Sequence, residues 1–106
     1  MENCLFCKIG KGEIPAEFVY QDDETLAFKD IHPSAPVHVL IVPKKHIESL
    51  NAATEEDKEV LAKIQFLASK LAKDLNIDKA FRLTVNTGEG AGQTVFHLHY
   101  HLQGGW

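Results

Sequence analysis

Cysteine is scarce in this chain, Cys4 and Cys7 being the only two. They stand too close together for a bridge between them to staple a fold, and in a reducing compartment such a pair points to metal or redox chemistry. Long apolar runs are missing as well. None approaches the length of a membrane span, and Met1-Glu2-Asn3-Cys4 lacks the basic and then apolar layout of a signal peptide, so the expectation is a cytoplasmic protein with no membrane partner. Nor is there an excess of basic residues, since 11 Lys and Arg face 15 Asp and Glu for a formal charge of -4. This argues against nucleic acid as a partner held by a broad basic surface, leaves room for a pocket that grips one phosphate, and points to a small ligand. No internal repeat or low-complexity segment stands out. What remains, 106 residues of which 44% are hydrophobic and 25% charged, fits one compact domain over residues 1–106.

Residues Cys4 to Gly10 mix apolar side chains with Lys8 and end at a glycine, which predicts one or two turns of helix closed by Gly10 or Gly12. On such a helix the two sulfurs fall on neighbouring turns, where i and i+3 side chains can converge on one tetrahedral ion. A thioredoxin-like redox pair is the rival, but it usually follows a strand, for which there is no room here. Glu17–Gln21 and Thr25–Lys29 read as a hairpin around the acidic turn Asp22-Asp23-Glu24. Ile31 to Pro36 is a proline-punctuated loop, and Asp30 at its mouth is placed either to cap a turn or to take two hydrogen bonds from a sugar diol. His32 reads as a solvated loop residue. Val37–Val42 is a strand apolar on both faces and therefore central, with Val37, Val39 and Ile41 on one face and His38, Leu40 and Val42 on the other. His38 then needs a partner. In Pro43-Lys44-Lys45-His46 the lysines read as a solvated turn and His46 as a surface residue, a cap or a ligand. Thr54 predicts an N-cap, with Glu55, Glu56 and Asp57 set favourably against the helix dipole, for a helix running to about Leu75. Val60, Leu61, Ile64, Leu67, Ala68, Leu71 and Leu75 give it one apolar face to cover a sheet. The order of elements predicts an α+β fold, an antiparallel sheet covered by that helix.

The chemistry gathers near the C-terminus. Phe81–Val85 is a strand that runs into Asn86-Thr87-Gly88-Glu89-Gly90-Ala91-Gly92, whose glycines allow backbone amides to approach an anion closely. No Gly-Lys-Ser/Thr follows, which excludes a Walker loop, and a strand rather than a helix comes next, which excludes a dinucleotide fingerprint. The segment is either a hairpin linker or a phosphate cradle. From Gly92 to Leu102 the pattern at period two is a strand that sends His97, His99 and His101 to one face and Phe96, Leu98, Tyr100 and Leu102 to the other. That is half of the six histidines on one strand face. Protonated rings so placed would repel and buried unpartnered rings are costly, so each needs a partner. A neutral imidazole becomes a competent nucleophile near pH 7 when its second nitrogen donates to a fixed acceptor. His99, in the middle of the row, has one neighbouring ring to orient it and another to meet phosphate.

At this strand the sequence resembles the histidine triad hydrolases, and more closely their Hint-type branch of purine nucleoside phosphoramidases. The pattern His-x-His-x-His followed by two apolar residues is met from His97 to Leu102, with Gln103 departing at the last position. Ile14-Pro15-Ala16, Leu26-Ala27-Phe28-Lys29-Asp30-Ile31, Pro43-Lys44-Lys45-His46 and Gly92-Gln93-Thr94-Val95 match as well, so the similarity covers nearly the whole chain. The resemblance implies a HIT-like fold, a five-stranded antiparallel sheet with one long helix and a short N-terminal helix, assembled as a homodimer. It implies hydrolysis of purine nucleoside phosphoramidates or related nucleotidyl conjugates to a nucleoside monophosphate. By the family's pattern His99 is the nucleophile, His101 steadies the phosphate and His38 supports the cluster. Asp30 binds the ribose, Ile31 flanks the base with Phe28 nearby, and Asn86 with Gly92, Gln93 and Thr94 surrounds the phosphate and leaving group. The Cys-x-x-Cys start is similar to that of zinc-binding relatives, which implies one structural zinc per chain on Cys4, Cys7, His46 and His97 and no metal at the reacting phosphate. The chain stops at Trp106, short of the tail that in relatives reaches the partner's pocket.

Two other functions fit the same residues. One is a metalloenzyme whose histidine strand holds a catalytic ion, although no acidic residue stands within the triad to complete a ligand set. The other is a non-catalytic nucleotide-binding regulatory module, which keeps the pocket without needing His99 to react.

Overall fold

The computed structural model describes residues 3–106. It contains one antiparallel sheet of five strands, β1 (Phe18–Gln21), β2 (Thr25–Lys29), β3 (Val37–Pro43), β4 (Phe81–Val85) and β5 (Tyr100–Gly104), in the spatial order β1-β2-β3-β5-β4. A short helix, α1 (Leu5–Gly10), precedes the sheet, and a long one, α2 (Lys58–Asp74), joins β3 to β4. Among the described residues no helix is long and apolar enough to cross a membrane.

Alternation along the strands divides the interior into two layers. Ala27, Val39, Ile41 and Leu102 meet Ile64, Leu67, Ala68 and Leu71 of α2 in the larger cluster. Leu26, Phe28, Leu40 and Val42 face the opposite side and meet Phe6 and Ile9 of α1. Each fully buried Ile or Leu in these layers contributes about 1.5 to 3 kcal/mol over an exposed one. His38 and His101 belong to the α1 side, since β3 and β5 pair with Leu40 opposite His101 and His38 opposite Gln103. β5 can end where it does because Gly104 has no side chain, as a Cβ there would lie 2.8 Å from Ile77 Cδ1.

The long helix starts in a tighter form than its pattern predicts. Thr54 does cap, its hydroxyl accepting from the Glu56 N–H, but it opens a single 3₁₀ turn over Glu55–Asp57 before α2 begins. Asp57 returns a carboxylate to the Thr54 N–H at 2.9 Å and accepts from Lys45 Nζ at 2.7 Å. Lys45 is therefore tied to the helix start rather than merely solvated. Three neighbouring elements differ from expectation in the same way, by length. β1 begins at Phe18, β3 extends through Pro43, and β5 is confined to Tyr100–Gly104. Residues 93–99 lie outside the ladder and bend at 95–97, so of the three histidines only His101 lies in a strand. The inward alternation still holds for Leu98, Tyr100 and Leu102, while Phe96, expected on the apolar face, is 43% exposed because the chain has not yet joined the sheet there.

Candidate active site

Three backbone groups, each able to play only one role in a hydrogen bond, fix the state of the histidine rings. His99 Nδ1 lies 2.7 Å from the His97 carbonyl oxygen. A carbonyl only accepts, so His99 carries its proton on Nδ1 and leaves Nε2 bare. The His97 ring does not orient His99, as the row of side chains had implied; the His97 main chain does. On His97 the arrangement is reversed, with Nε2 donating to the Pro43 carbonyl at 2.7 Å and Nδ1 left bare. The Ser34 N–H, which only donates, reaches His38 Nδ1 at 3.0 Å. His38 therefore donates from Nε2 to His101 Nδ1 at 2.9 Å, and His101 keeps an Nε2–H.

Burial favours the neutral form of all three triad rings. Burial pushes His97, His99 and His101 below the ordinary histidine value, and the His99 and His38 rings beside His101 push it further down. Asp30 opposes this weakly at His99 and His101. The result is a bare Nε2 on His99 beside a donating Nε2–H on His101, with ring centroids 5.0 Å apart.

Both rings line a cleft of about 350 Å³. Its remaining walls are mainly apolar, formed by Phe6 and Ile9 of α1, Ile14, Phe28, Leu40 and Val95. Phe6 stands edge-on to His99 and to Phe28, at 5.0 and 5.5 Å between centroids. Asp30 also lines the cleft. One of its oxygens accepts from the His32 N–H at 2.8 Å, and the other is 3.5 Å from His38 Nε2. The turn-capping role is thus present, and it leaves one oxygen for the cleft. Ile31, 83% exposed, lies at the mouth.

On the other side of α1, Cys4 Sγ lies 3.3 Å and Cys7 Sγ 3.6 Å from the bare His97 Nδ1, and Cys7 Sγ lies 3.5 Å from His46 Nδ1. Zinc bonds of ordinary length in a tetrahedron put sulfur and nitrogen about 3.6 Å apart. The four side chains are therefore already spaced for an ion, and the His97 ring is in its ligating form. Burial and the adjacent Cys4 sulfur push the Cys7 thiol above its ordinary value, so a cation is what would bring it to the thiolate. Pro43 contributes through its carbonyl and His46 through its ring, so the turn after β3 both fixes and completes the group. The second grouping of possible ligands, Asp30, His38 and His101, is spaced differently. Its two rings are hydrogen-bonded directly to each other, which occupies the nitrogens an ion would need.

The residues expected around a phosphate are only partly brought together. Thr94, His99 and His101 line the cleft, as do Phe28, Asp30 and Ile31. Gln93 is 1% exposed, its amide accepting from the Gly88 N–H and donating to the Glu48 and Val95 carbonyls. It is a latch inside the loop. Asn86 stands next to Gly92, and neither lines the cleft. Phe6, Ile9, Ile14, Leu40 and Val95 line the cleft without having been read as site residues from sequence. The i, i+3 spacing of Phe6 and Ile9 carried a signal for an inward face of α1, overshadowed there by the cysteines.

Fold and site together define a small α+β protein that gathers its histidines into one relay and one metal-type cluster. The profile of the family described as scavenger mRNA decapping enzyme C-term binding matches residues 3–105. A HIT-like protein of Synechocystis is 53% identical over 98% of this chain and 91% of its own length. Among solved structures, a HIT family hydrolase from Clostridium thermocellum is 52% identical with a TM-score of 0.97, over 100% of this chain and 93% of that one. A HIT family hydrolase from Legionella pneumophila is 50% identical with a TM-score of 0.96, over 98% and 94%. The chain belongs to the histidine triad family.

Proposed function

We propose that this protein is a nucleotidyl hydrolase that cleaves purine nucleoside phosphoramidates, or related nucleotidyl conjugates, to a nucleoside monophosphate through a covalent intermediate on His99. The observation that carries this reading is the bare His99 Nε2, its ring held through Nδ1 by the His97 carbonyl, beside the His101 Nε2–H in a cleft whose other walls are mainly apolar. The base lies between Phe28 and Ile31 with Phe6 behind them, and the ribose hydroxyls donate to the free oxygen of Asp30. His99 Nε2 attacks the α-phosphorus, and the phosphorus–nitrogen bond to the amine breaks as the new one forms. The amine leaves with a proton from solvent. His101 Nε2–H and the Thr94 side chain stabilise the charged phosphoryl oxygens, while His38 keeps His101 in its donating state. Water then attacks the same phosphorus, gives up a proton to solvent as the bond to His99 Nε2 breaks, and releases the monophosphate and the neutral ring.

The ion held by Cys4, Cys7, His46 and His97 is zinc in this reading, and its role when bound is to fasten α1 to the histidine segment. The assembly is a homodimer and its location the cytoplasm, where two free cysteines stay reduced. The relatives' hydrolase descriptions support the reaction class, and the decapping-enzyme description of the matching profile supports nucleotide chemistry.

The test is release of AMP or GMP from a panel of phosphoramidates, followed by rapid quenching with a radiolabelled adenosine phosphoramidate and mapping of the acid-labile, base-stable label. Label is expected on His99. His99→Ala should keep nucleotide binding and slow the chemical step by roughly a thousandfold or more, with His101→Ala impaired less. Label on another residue would refute the nucleophile, and nucleotide binding with no turnover by the wild-type protein would point to the regulatory module instead.

A further inference from the structure

Gln103, where the sequence leaves the family's apolar pattern, stands beside the histidine cluster. It pairs across the sheet with His38 on one side and with Arg82 on the other. On the β3 side the two side chains are direct cross-strand neighbours on the face that carries the cleft. Gln103 Nε2 donates to Ser34 Oγ at 2.7 Å. The same Ser34 holds His38 Nδ1, by its N–H at 3.0 Å and with its Oγ at 3.4 Å. A continuous path therefore runs from Gln103 through Ser34 and His38 to the Nδ1 of His101.

We infer that Gln103 is a positioning residue that clamps Ser34 against His38 and thereby fixes the proton of His38, and with it that of His101, on Nε2. The physical reason lies in the loop. Ser34 is exposed and follows a proline in a segment with no ladder of its own, and the turn at Asp30 ties down only the loop's first residues. An N–H on a loosely held loop can leave its acceptor. Without that donor, His38 is free to place its proton on Nδ1, and His101 then loses the donor that keeps its own proton facing the cleft. Of the charged residues, Asp30 lies 3.5 Å from His38 Nε2 and Arg82 pairs with Gln103 on β4. Leucine at 103 would fill comparable space but offer Ser34 no donor.

The kinetic arm of the test rests on the hydrolase reading, and the spectroscopic arm does not. Long-range proton–nitrogen correlation spectra of 15N-histidine protein report which ring nitrogen carries the proton. In the wild type, His38 and His101 should be protonated on Nε2 and His99 on Nδ1. Q103L should convert the His38 and His101 signals to a mixture while leaving those of His99 alone. It should also lower kcat about three- to tenfold with KM unchanged. S34A, at an exposed position that keeps its backbone N–H, should give the same change, and the double variant no further loss, since both act through one contact. S34A also supplies the reading should Q103L fail to fold. A His38 proton on Nδ1 in the wild type, a wild-type ring pattern in both variants, or additive losses would overturn the inference. Absence of turnover in the wild type would count against the hydrolase reading alone, because the ring pattern still decides the role of Gln103.

Discussion

The oxygens of Asp30 have separate tasks at the scale of single residues. One closes the turn at His32, and the other lies 3.5 Å from His38 Nε2 on the wall of the cleft. Truncation would remove both, so Asp30→Asn, which keeps an acceptor for the turn, is the cleaner probe. A carboxylate desolvated by a bound nucleoside and denied its donors costs about 1 to 3 kcal/mol. AMP should therefore bind more tightly than its 2′,3′-dideoxy analogue, and the gap should shrink in Asp30→Asn. Calorimetric titration that gives equal affinities for both nucleotides in the wild type would remove Asp30 from the ribose site.

Two elements owe their placement to polar contacts, and each gives a prediction. The β1–β2 turn is organised by Asp22, which accepts from the Glu24 and Thr25 N–H groups, the Thr25 and Tyr20 hydroxyls, and Lys63 of α2. Burial works against ionisation of Asp22, but Lys63, these amides and the Tyr20 hydroxyl outweigh it and hold the carboxyl well below the usual range. A carboxyl lower in the folded than in the unfolded state stabilises the fold above the unfolded value of about 4, and that stabilisation is lost as pH falls further. Asp22→Asn should thus lower Tm at pH 7 and lose less between about pH 5 and 2 than the wild type does. Parallel Tm curves for the two proteins would contradict this. The second element is α1, whose cysteines face His46 and His97 while its Phe6 and Ile9 line the cleft. Stripping metal with a strong chelator, or Cys4→Ser, should lower Tm and also weaken AMP binding, because the same helix carries both sets of contacts. Zinc analysis of protein purified without added metal checks the ion. Stripped protein with unchanged Tm and AMP affinity would separate α1 from the metal.

For the whole molecule, the two edges of the sheet are unlike. β1 carries an irregularity between Phe18 and Tyr20, the kind of break that blunts an edge. β4 is regular over Phe81–Val85, with Phe81 on it exposed and Trp106 held over Arg82 at 5.2 Å. An open regular edge next to apolar surface is suited to pairing with a second copy. On α2, Phe66 is 80% exposed and adds to the uncovered apolar surface. Light scattering after gel filtration should give twice the 11.8 kDa of one chain, and Phe81→Glu should shift the mass toward one chain. A monomer at tens of micromolar would rule out the homodimer.

The sequence by itself determined the order of the strands and of the two helices and, within the sheet, the facing of their side chains, because periods of two and of three to four are local properties that burial then enforces. It also marked the histidines and the cysteine pair as needing partners. Only the tertiary structure decided which partners they have. The carbonyls of His97 and Pro43 and the N–H of Ser34 are main-chain groups with no signature in sequence, yet they determine which nitrogen of His99, His97 and His38 is bare. Their positions depend on long-range strand register and on where β5 leaves the sheet. For the same reason Gln93 was read as part of the segment around the phosphate but not as a buried latch, and the short N-terminal helix was legible but not the place of its Phe6 and Ile9 on the wall of the cleft.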